Sequence, residues 1–314
     1  VPADFPNGSS RLRMAFADIY AIAPTTIWVG VIILGLLVGS FLNVVIYRLP
    51  VMMQNDWQRE CEDYLAQQEN SVAAPATPEK KFNLAFPNSR CPKCNSAIKP
   101  WHNIPILSYV LLKGACANCK APISIRYPII EGVTALLSAL VFWHFGPTPQ
   151  ALLGLVLVWS LISLTMIDVD HYLLPDAITL PLMWLGILAS LFNTYTDLQS
   201  AVIGAMAGYL SLWSVYWAFK LLTGKEGMGF GDFKLLAALG AWMGWQYLPM
   251  IILLSSLVGA VLGIGAVLLL GRDKAKPLPF GPYLAVAGFI AFIWGEPLLN
   301  QYLQMLNFST QPQF

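Results

Sequence analysis

The sequence predicts an all-α polytopic membrane protein of about eight transmembrane helices, with one small polar insertion between the first and the second. Three observations carry this expectation. Of 314 residues, 57 % are hydrophobic and only 11 % are charged, whereas soluble globular domains carry roughly 25 % charge. The apolar residues gather into runs approaching the about 20 helical residues that a bilayer core requires. The basic residues collect in alternate loops, the pattern of segments retained in the cytoplasm.

Residues 1–25 form an N-terminal segment. The first run, Thr26–Ile46, is longer than a signal-peptide core and no small-x-small cleavage motif follows it, so 26–46 is read as a retained span. Residues 47–128 form the insertion. Its first half, Met52–Pro87, is rich in Gln, Glu, Asp and Ala; Trp57–Gln68 suits a helix, and Asn70–Pro78 reads as a flexible linker. The remaining runs are Ile129–Phe145, Leu152–Ile167, Ala177–Leu191, Ala201–Leu222, Phe233–Trp245, Leu248–Leu270 and Pro282–Trp294, giving a bundle over 129–303 and a tail over 304–314. Phe233–Trp245 is short for a span, but turns flanking a functional residue can shorten a helix inside a bundle. No internal repeat suggests an inverted-repeat transporter.

Orientation follows from the basic residues. If the insertion is cytoplasmic, it holds Arg48, Arg59, Lys80, Lys81, Arg90, Lys93, Lys99, Lys113, Lys120 and Arg126. Counting spans onward places Lys220, Lys225 and Lys234, and then Arg272, Lys274 and Lys276, on the same side, while the loops at 146–150 and 193–199 carry none. Only Arg11 and Arg13 disagree, and both termini are expected outside the cytoplasm.

Within the insertion, Cys91-Pro-Lys-Cys94 and Cys116-Ala-Asn-Cys119 are two Cys-x-x-Cys pairs. Each supplies two thiolates from one turn, and the segment between can fold back to bring four sulfurs into a tetrahedron, a zinc-ribbon-like site. Two disulfides or a redox pair are the alternatives, and cytoplasmic placement argues against both. Four protein ligands leave no open position for a substrate water, so the zinc is structural. Cys61 is left over as a free thiol, and His102 reads as packing or surface. His144, beside Trp143, suits a membrane interface.

Asp168 closes the run Leu152–Ile167 and opens Asp-Val-Asp-His-Tyr-Leu-Leu-Pro-Asp; Asp232 ends Gly-Met-Gly-Phe-Gly-Asp and begins the next run. Carboxylates at membrane depth are costly and mark function by default. The span count puts both on the cytoplasmic side. Two close carboxylates share one proton, so one can activate water while the other polarises a carbonyl, which suits hydrolysis of a peptide bond. The glycines of Gly229-Phe230-Gly231 would let the backbone bend and a substrate strand approach. Position alone leaves a second reading equally open: Asp232 as the N-cap of its helix, and Asp168 and Asp170 as solvated loop residues. His171 is a candidate for tuning Asp168. Ion transport would want acids near mid-span, and Glu131, near the start of its run, fits poorly.

Five segments in this order resemble the type IV prepilin peptidases: Gly39–Pro50, the two Cys-x-x-Cys pairs, Ile123–Glu131, Ile167–Asp176 and the Gly-x-Gly-Asp of Gly229–Asp232. The resemblance runs from about residue 27 to 295. It implies a bifunctional enzyme of the bacterial inner membrane, serving type IV pili or type II secretion. Such an enzyme cuts the basic leader from prepilins or pseudopilins after a glycine, on the cytoplasmic side. It then methylates the new N-terminal amine with S-adenosylmethionine. The family's catalytic aspartates match Asp168 and Asp232, not Asp170 or Asp176, and the four cysteines match a zinc pattern found in many members. Lys234 is expected to act on Asp232 and decide which aspartate is ionised. No Gly-x-Gly-x-x-Gly fingerprint follows a strand, so the methyl donor's site is unassigned; Gly114 and Glu131 are candidates to shape it, beside a structural role for both. Expected partners are prepilin substrates and the lipid bilayer, with no nucleic acid. A membrane scaffold whose zinc module docks a cytoplasmic partner is the alternative from another class.

Overall fold

A computed structural model describes residues 23–68, 82–270 and 278–309. Most of the expected N-terminal segment with Arg11 and Arg13, the linker Asn70–Pro78, Lys80 and Lys81, the Arg272–Lys276 cluster and the last residues of the tail lie outside the described residues. The chain divides into two compact units, residues 1–148 and 149–314.

The first unit holds α1 (Pro24–Gln68), α2 (Leu107–Leu111) and α3 (Arg126–Phe145). The expected first span and the expected Trp57–Gln68 helix are one continuous helix of 45 residues that passes through Pro50. Small residues let α1 lie close on α3: a Cβ on Gly35 would fall 2.6 Å from the Ala135 Cα, and one on Gly39 2.7 Å from the Glu131 Cα. Such approach supplies the dispersion contacts that hold helices together where lipid removes the hydrophobic drive. Buried Thr134 and Ser138 donate to carbonyls one turn back, Ile130 and Thr134.

Two buried polar side chains fasten the insertion to these helices. Arg48 donates to the carbonyls of Asn83 (2.9 Å), Leu84 (3.3 Å) and Pro87 (2.6 Å), with its guanidinium over the Phe82 ring. Glu131 accepts from the backbone N–H of Ile106 at 2.7 Å and from Ser40.

The second unit comprises α4 (Pro149–His171), α5 (Asp176–Ser190), α6 (Leu198–Thr223), α7 (Phe230–Met243), α8 (Leu248–Leu270) and α9 (Gly281–Ser309). Proline begins α4, where its missing N–H is not needed. Asp197 caps α6 by accepting from the Ser200 N–H at 2.9 Å, and Gly224 ends it at φ 70°, the left-handed backbone that glycine adopts freely.

All eight apolar runs form helices. Six of these, α1, α3, α4, α6, α8 and α9, are long and apolar enough to cross a membrane. The shorter α5 and α7 have 15 and 14 residues. At about 1.5 Å per residue α7 is only about 21 Å long, short of the about 30 Å hydrocarbon core. Asp232, Phe233 and every residue from Leu235 to Met243 are buried, which accounts for a helix that is apolar all round. By contrast α8 turns Leu253, Leu257, Val261 and Ile264 outward along one stripe, the surface a bilayer solvates.

The seating of α7 rests on glycines. Gly204 of α6 lies backbone to backbone on Gly240 of α7, and a Cβ on Gly208 would fall 2.7 Å from the Leu236 carbonyl oxygen. On the other side, the Trp242 indole crosses Gly186 of α5 and donates to the Leu182 carbonyl at 2.8 Å. Because the obstruction at Gly208 is backbone, Gly208→Leu is expected to cost at least about 1–3 kcal/mol. Thermal melting in detergent reads this directly, and an unchanged Tm would disprove the close approach.

Candidate active site and candidate metal centre

Asp168 stands in the last turn of α4 and Asp232 in the first turn of α7. They are only 5 % and 6 % exposed, although both lie at helix ends where loops begin. The structure brings them within electrostatic reach of one another, which the solvated-loop reading of Asp168 does not allow. Asp232 is not the N-cap of α7 either. That position belongs to Gly229, and Asp232, three residues later, reaches back to accept from the Gly229 N–H, as the acidic partner does in a capping box. Its Oδ1 is buried with no hydrogen-bond partner among the described residues.

Leu174 wedges the site together. A Cβ on Gly231 would fall 2.7 Å from the Leu174 Cβ, so glycine there is a matter of space. Gly229 has an ordinary extended backbone (φ −80°), Gly231 is helical, and neither needs glycine's conformational freedom. The expected pliable Gly-x-Gly backbone is thus replaced by a close packing contact. Opposite, Asp168 Oδ2 accepts from the N–H of Gly281, the first residue of α9, at 3.0 Å.

The neighbouring ionisable groups arrange themselves differently from expectation. Lys234 does not reach Asp232: its Nζ donates to both oxygens of Asp176, at 2.7 and 2.6 Å, tying the start of α7 to the start of α5. Lys234 points off the face of α7 that carries Asp232, because two helical residues are separated by about 200°. Asp170 and His171 are exposed on the last turn of α4, turned away from the buried face that Asp168 occupies.

In the first unit, one ligand atom from each of Cys91, Cys94, Cys116 and Cys119 lies within 4.8 Å of the others, a group able to hold a metal ion. Each pair sits in the same knuckle. The N–H of Asn95 returns to the Cys91 carbonyl (2.9 Å) and that of Lys120 to the Cys116 carbonyl (3.1 Å); Asn95 and Lys120 take the left-handed conformation, φ 57° and 58°. Single antiparallel bridges, Arg90 with Ala97 and Ala115 with Pro122, close the two knuckles. A zinc–sulfur tetrahedron with bonds of about 2.3 Å has edges of about 3.8 Å, and Cys91 Sγ stands 3.8 Å from Cys119 Sγ.

The four thiols perturb one another. The Ser96 hydroxyl and N–H lower Cys94 to about 6. The Ala121 N–H favours the Cys119 thiolate, yet hydrogen-bonded Cys94, burial, Cys116 and Cys91 together push it up to about 11. A bound dication ends this competition by deprotonating every ligand. His102 is not in the cluster, and Cys61 is exposed on α1.

Residues 33–145 match the Bacterial Peptidase A24 N-terminal domain, and residues 155–264 match the Type IV leader peptidase family. The protein named prepilin leader peptidase/N-methyltransferase in Pseudomonas aeruginosa is 52 % identical over 296 residues, 94 % of this chain and 100 % of that protein. The chain belongs to the type IV leader peptidase family. Proteins of the same name in Aeromonas hydrophila (55 % over 273 residues; 87 % of this chain, 92 % of that protein) and Legionella pneumophila (43 % over 281 residues; 88 % and 95 %) are likewise similar. No solved structure matches it. The two family matches fall one on each compact unit.

Sequence reasoning missed Gly281, Ser96 and Arg48. Their work is done by a backbone N–H, by a hydroxyl on Cys94 Sγ at 3.0 Å, and by a guanidinium bound to loop carbonyls. No residue-type pattern announces such roles. Gly114 and Glu131 both have structural work: Gly114 takes φ +67° against the Tyr109 ring, and Glu131 holds Ile106. The partly exposed Lys234–Asp176 pair is expected to show a coupling of about 0.2–1 kcal/mol in a double-mutant cycle. If Lys234→Met instead displaced the pH profile while Asp176→Asn did not, the ion pair would not be its role.

Proposed function

We propose that this chain is a bifunctional prepilin-processing enzyme of the bacterial inner membrane. It removes the basic leader of type IV prepilins or type II secretion pseudopilins by aspartyl hydrolysis at the cytoplasmic face, and it methylates the new N-terminal amine. The observation that carries the peptidase half is the convergence of two buried carboxylates, one with an oxygen left without a partner. The relatives' name and their identity over nearly the whole chain support both halves.

Asp168 and Asp232 are the catalytic pair in this reading. A single proton is shared between them, because two charges so close in an apolar bundle cannot both be kept. The ionised partner takes a proton from water as its oxygen attacks the scissile carbonyl carbon, and the protonated one gives its proton to the carbonyl oxygen. Collapse of the resulting diol breaks the C–N bond, with one proton passing to the leaving amine and the other returning to the second aspartate. S-adenosylmethionine supplies the methyl group for that amine, and no residue is assigned to hold it. Zinc fits Cys91, Cys94, Cys116 and Cys119, where it fixes the fold of the insertion and takes no part in either reaction.

Intact mass of a prepilin after incubation with the purified protein tests the reading. Loss of the leader is expected in all reactions, with one added methyl only when S-adenosylmethionine is present. Asp168→Asn and Asp232→Asn are each expected to slow cleavage by about 10²–10⁴-fold or more while a pre-cleaved peptide is still methylated. An unprocessed substrate with folded, zinc-loaded protein would move the scaffold alternative to first place. Elemental analysis is expected to find about one zinc per chain, lost with Cys91→Ser or Cys116→Ser and retained in Cys61→Ser.

A further inference from the structure

We propose that Gly281 is a positioning residue whose backbone N–H holds Asp168 as the ionised general base and leaves Asp232 as the protonated acid. This rests on the dyad reading and assigns the two roles within it. Asp168 ends α4, where the aligned peptide dipoles of its own helix disfavour a negative charge. The N-terminus of α9 supplies the opposite: the Gly281 N–H donates to Asp168 Oδ2 at 3.0 Å inside the protein.

Gly281 is glycine because the carboxylate occupies the place of its side chain. A Cβ there would fall 2.7 Å from Asp168 Oδ2, 3.2 Å from its Cγ and 3.1 Å from Leu174 Cδ2. The contact therefore fixes the carboxylate in position as well as in charge. Asp232 also receives one backbone N–H, from Gly229, but among the described residues its Oδ1 is buried without a partner, and Asp168 has no such orphaned atom. A buried, unpaired oxygen is far cheaper on a neutral acid than on a carboxylate. Protonated, Asp232 has a hydroxyl free to meet the substrate carbonyl.

Among the described residues, the charged group of α7 that acts on Asp168 is Asp232. Lys234 of α7 and Asp176 of α5 are tied to each other. Residues 281–295 of α9 carry no charged side chain, and Tyr283 is their one phenol. Asp170 and His171 of α4 itself are exposed. In the reaction Asp168 thus takes the proton of the attacking water and passes it to the leaving amine. Asp232 gives its proton to the carbonyl oxygen and recovers one as the C–N bond breaks.

The test compares kcat and KM across pH for the full-length protein with a prepilin substrate. Replacing the Gly281 amide by an ester during cell-free synthesis removes the N–H and also weakens the Phe280 carbonyl that accepts from Tyr283 and Leu284, while Gly281→Ala keeps both groups and adds the displacing methyl. With Tm near that of the wild type, the ester is expected to lower kcat about tenfold to a hundredfold at nearly constant KM. The acidic limb of the profile should move up by about one pH unit, because the charged form loses a donor. Gly281→Ala should do at least as much, and if it fails to fold the ester decides. An ester variant with wild-type kcat and limbs, or one in which only the alkaline limb moves, overturns the inference. Wild-type cleavage by Asp168→Asn and Asp232→Asn would instead overturn the dyad reading itself.

Discussion

Housing two carboxylates inside an apolar bundle is the constraint on which the second unit depends. Neither group can be placed mid-helix, where backbone donors are already engaged, so both stand at helix ends, and each draws on an N–H that no helix ladder uses. Asp232 borrows that of its own N-cap, Gly229, and Asp168 borrows one from a third helix, α9. The short α7, buried at Asp232, at Phe233 and from Leu235 to Met243, follows from the same need, because it must bring Asp232 against Asp168. Glycines at 204, 208, 240 and 186 then let α5 and α6 close on it without leaving space for water or lipid.

The first unit faces a different problem. Its insertion buries few apolar side chains, with Trp101, Val110 and Leu111 left exposed, and small domains without a sizeable core usually need a cross-link to fold. Four converging sulfurs able to hold a metal ion are placed to provide one, and two buried ionic side chains provide the attachment to the helices. Arg48 gathers three carbonyls of the chain returning from the linker, and Glu131 holds the N–H of Ile106, whose φ of 56° is rare for a β-branched residue. Both act on backbone, so both would serve many different insertion sequences.

Much of this was legible in the chain itself. Apolar run length and charge depletion located every helix of the bundle, and the doublet spacing of the cysteines was enough to foresee the knuckles. The two aspartates were legible as costly residues at the ends of apolar runs. Less was legible wherever the partner was backbone. Lys234, two residues from Asp232, looked like its natural partner, yet helical geometry turns it to Asp176. The Gly-x-Gly preceding Asp232 looked like a flexible turn, and Gly231 proved to be room for Leu174. The apolar run gives a span over 26–46 and the polar stretch a separate helix over Trp57–Gln68, and the backbone joins the two as one helix through Pro50.

The sequence by itself therefore determined the class of protein, the family, the helix inventory and the residues able to do chemistry, because burial, span length and ligand spacing are properties of residue type along the chain. Only the tertiary structure decided which of those residues meet and how each is held. Asp168 and Asp232 are 64 positions apart and Asp168 and Gly281 113 apart. What joins them is the packing of helices on glycine faces and the direction of single backbone N–H bonds, and neither carries a signature in residue type.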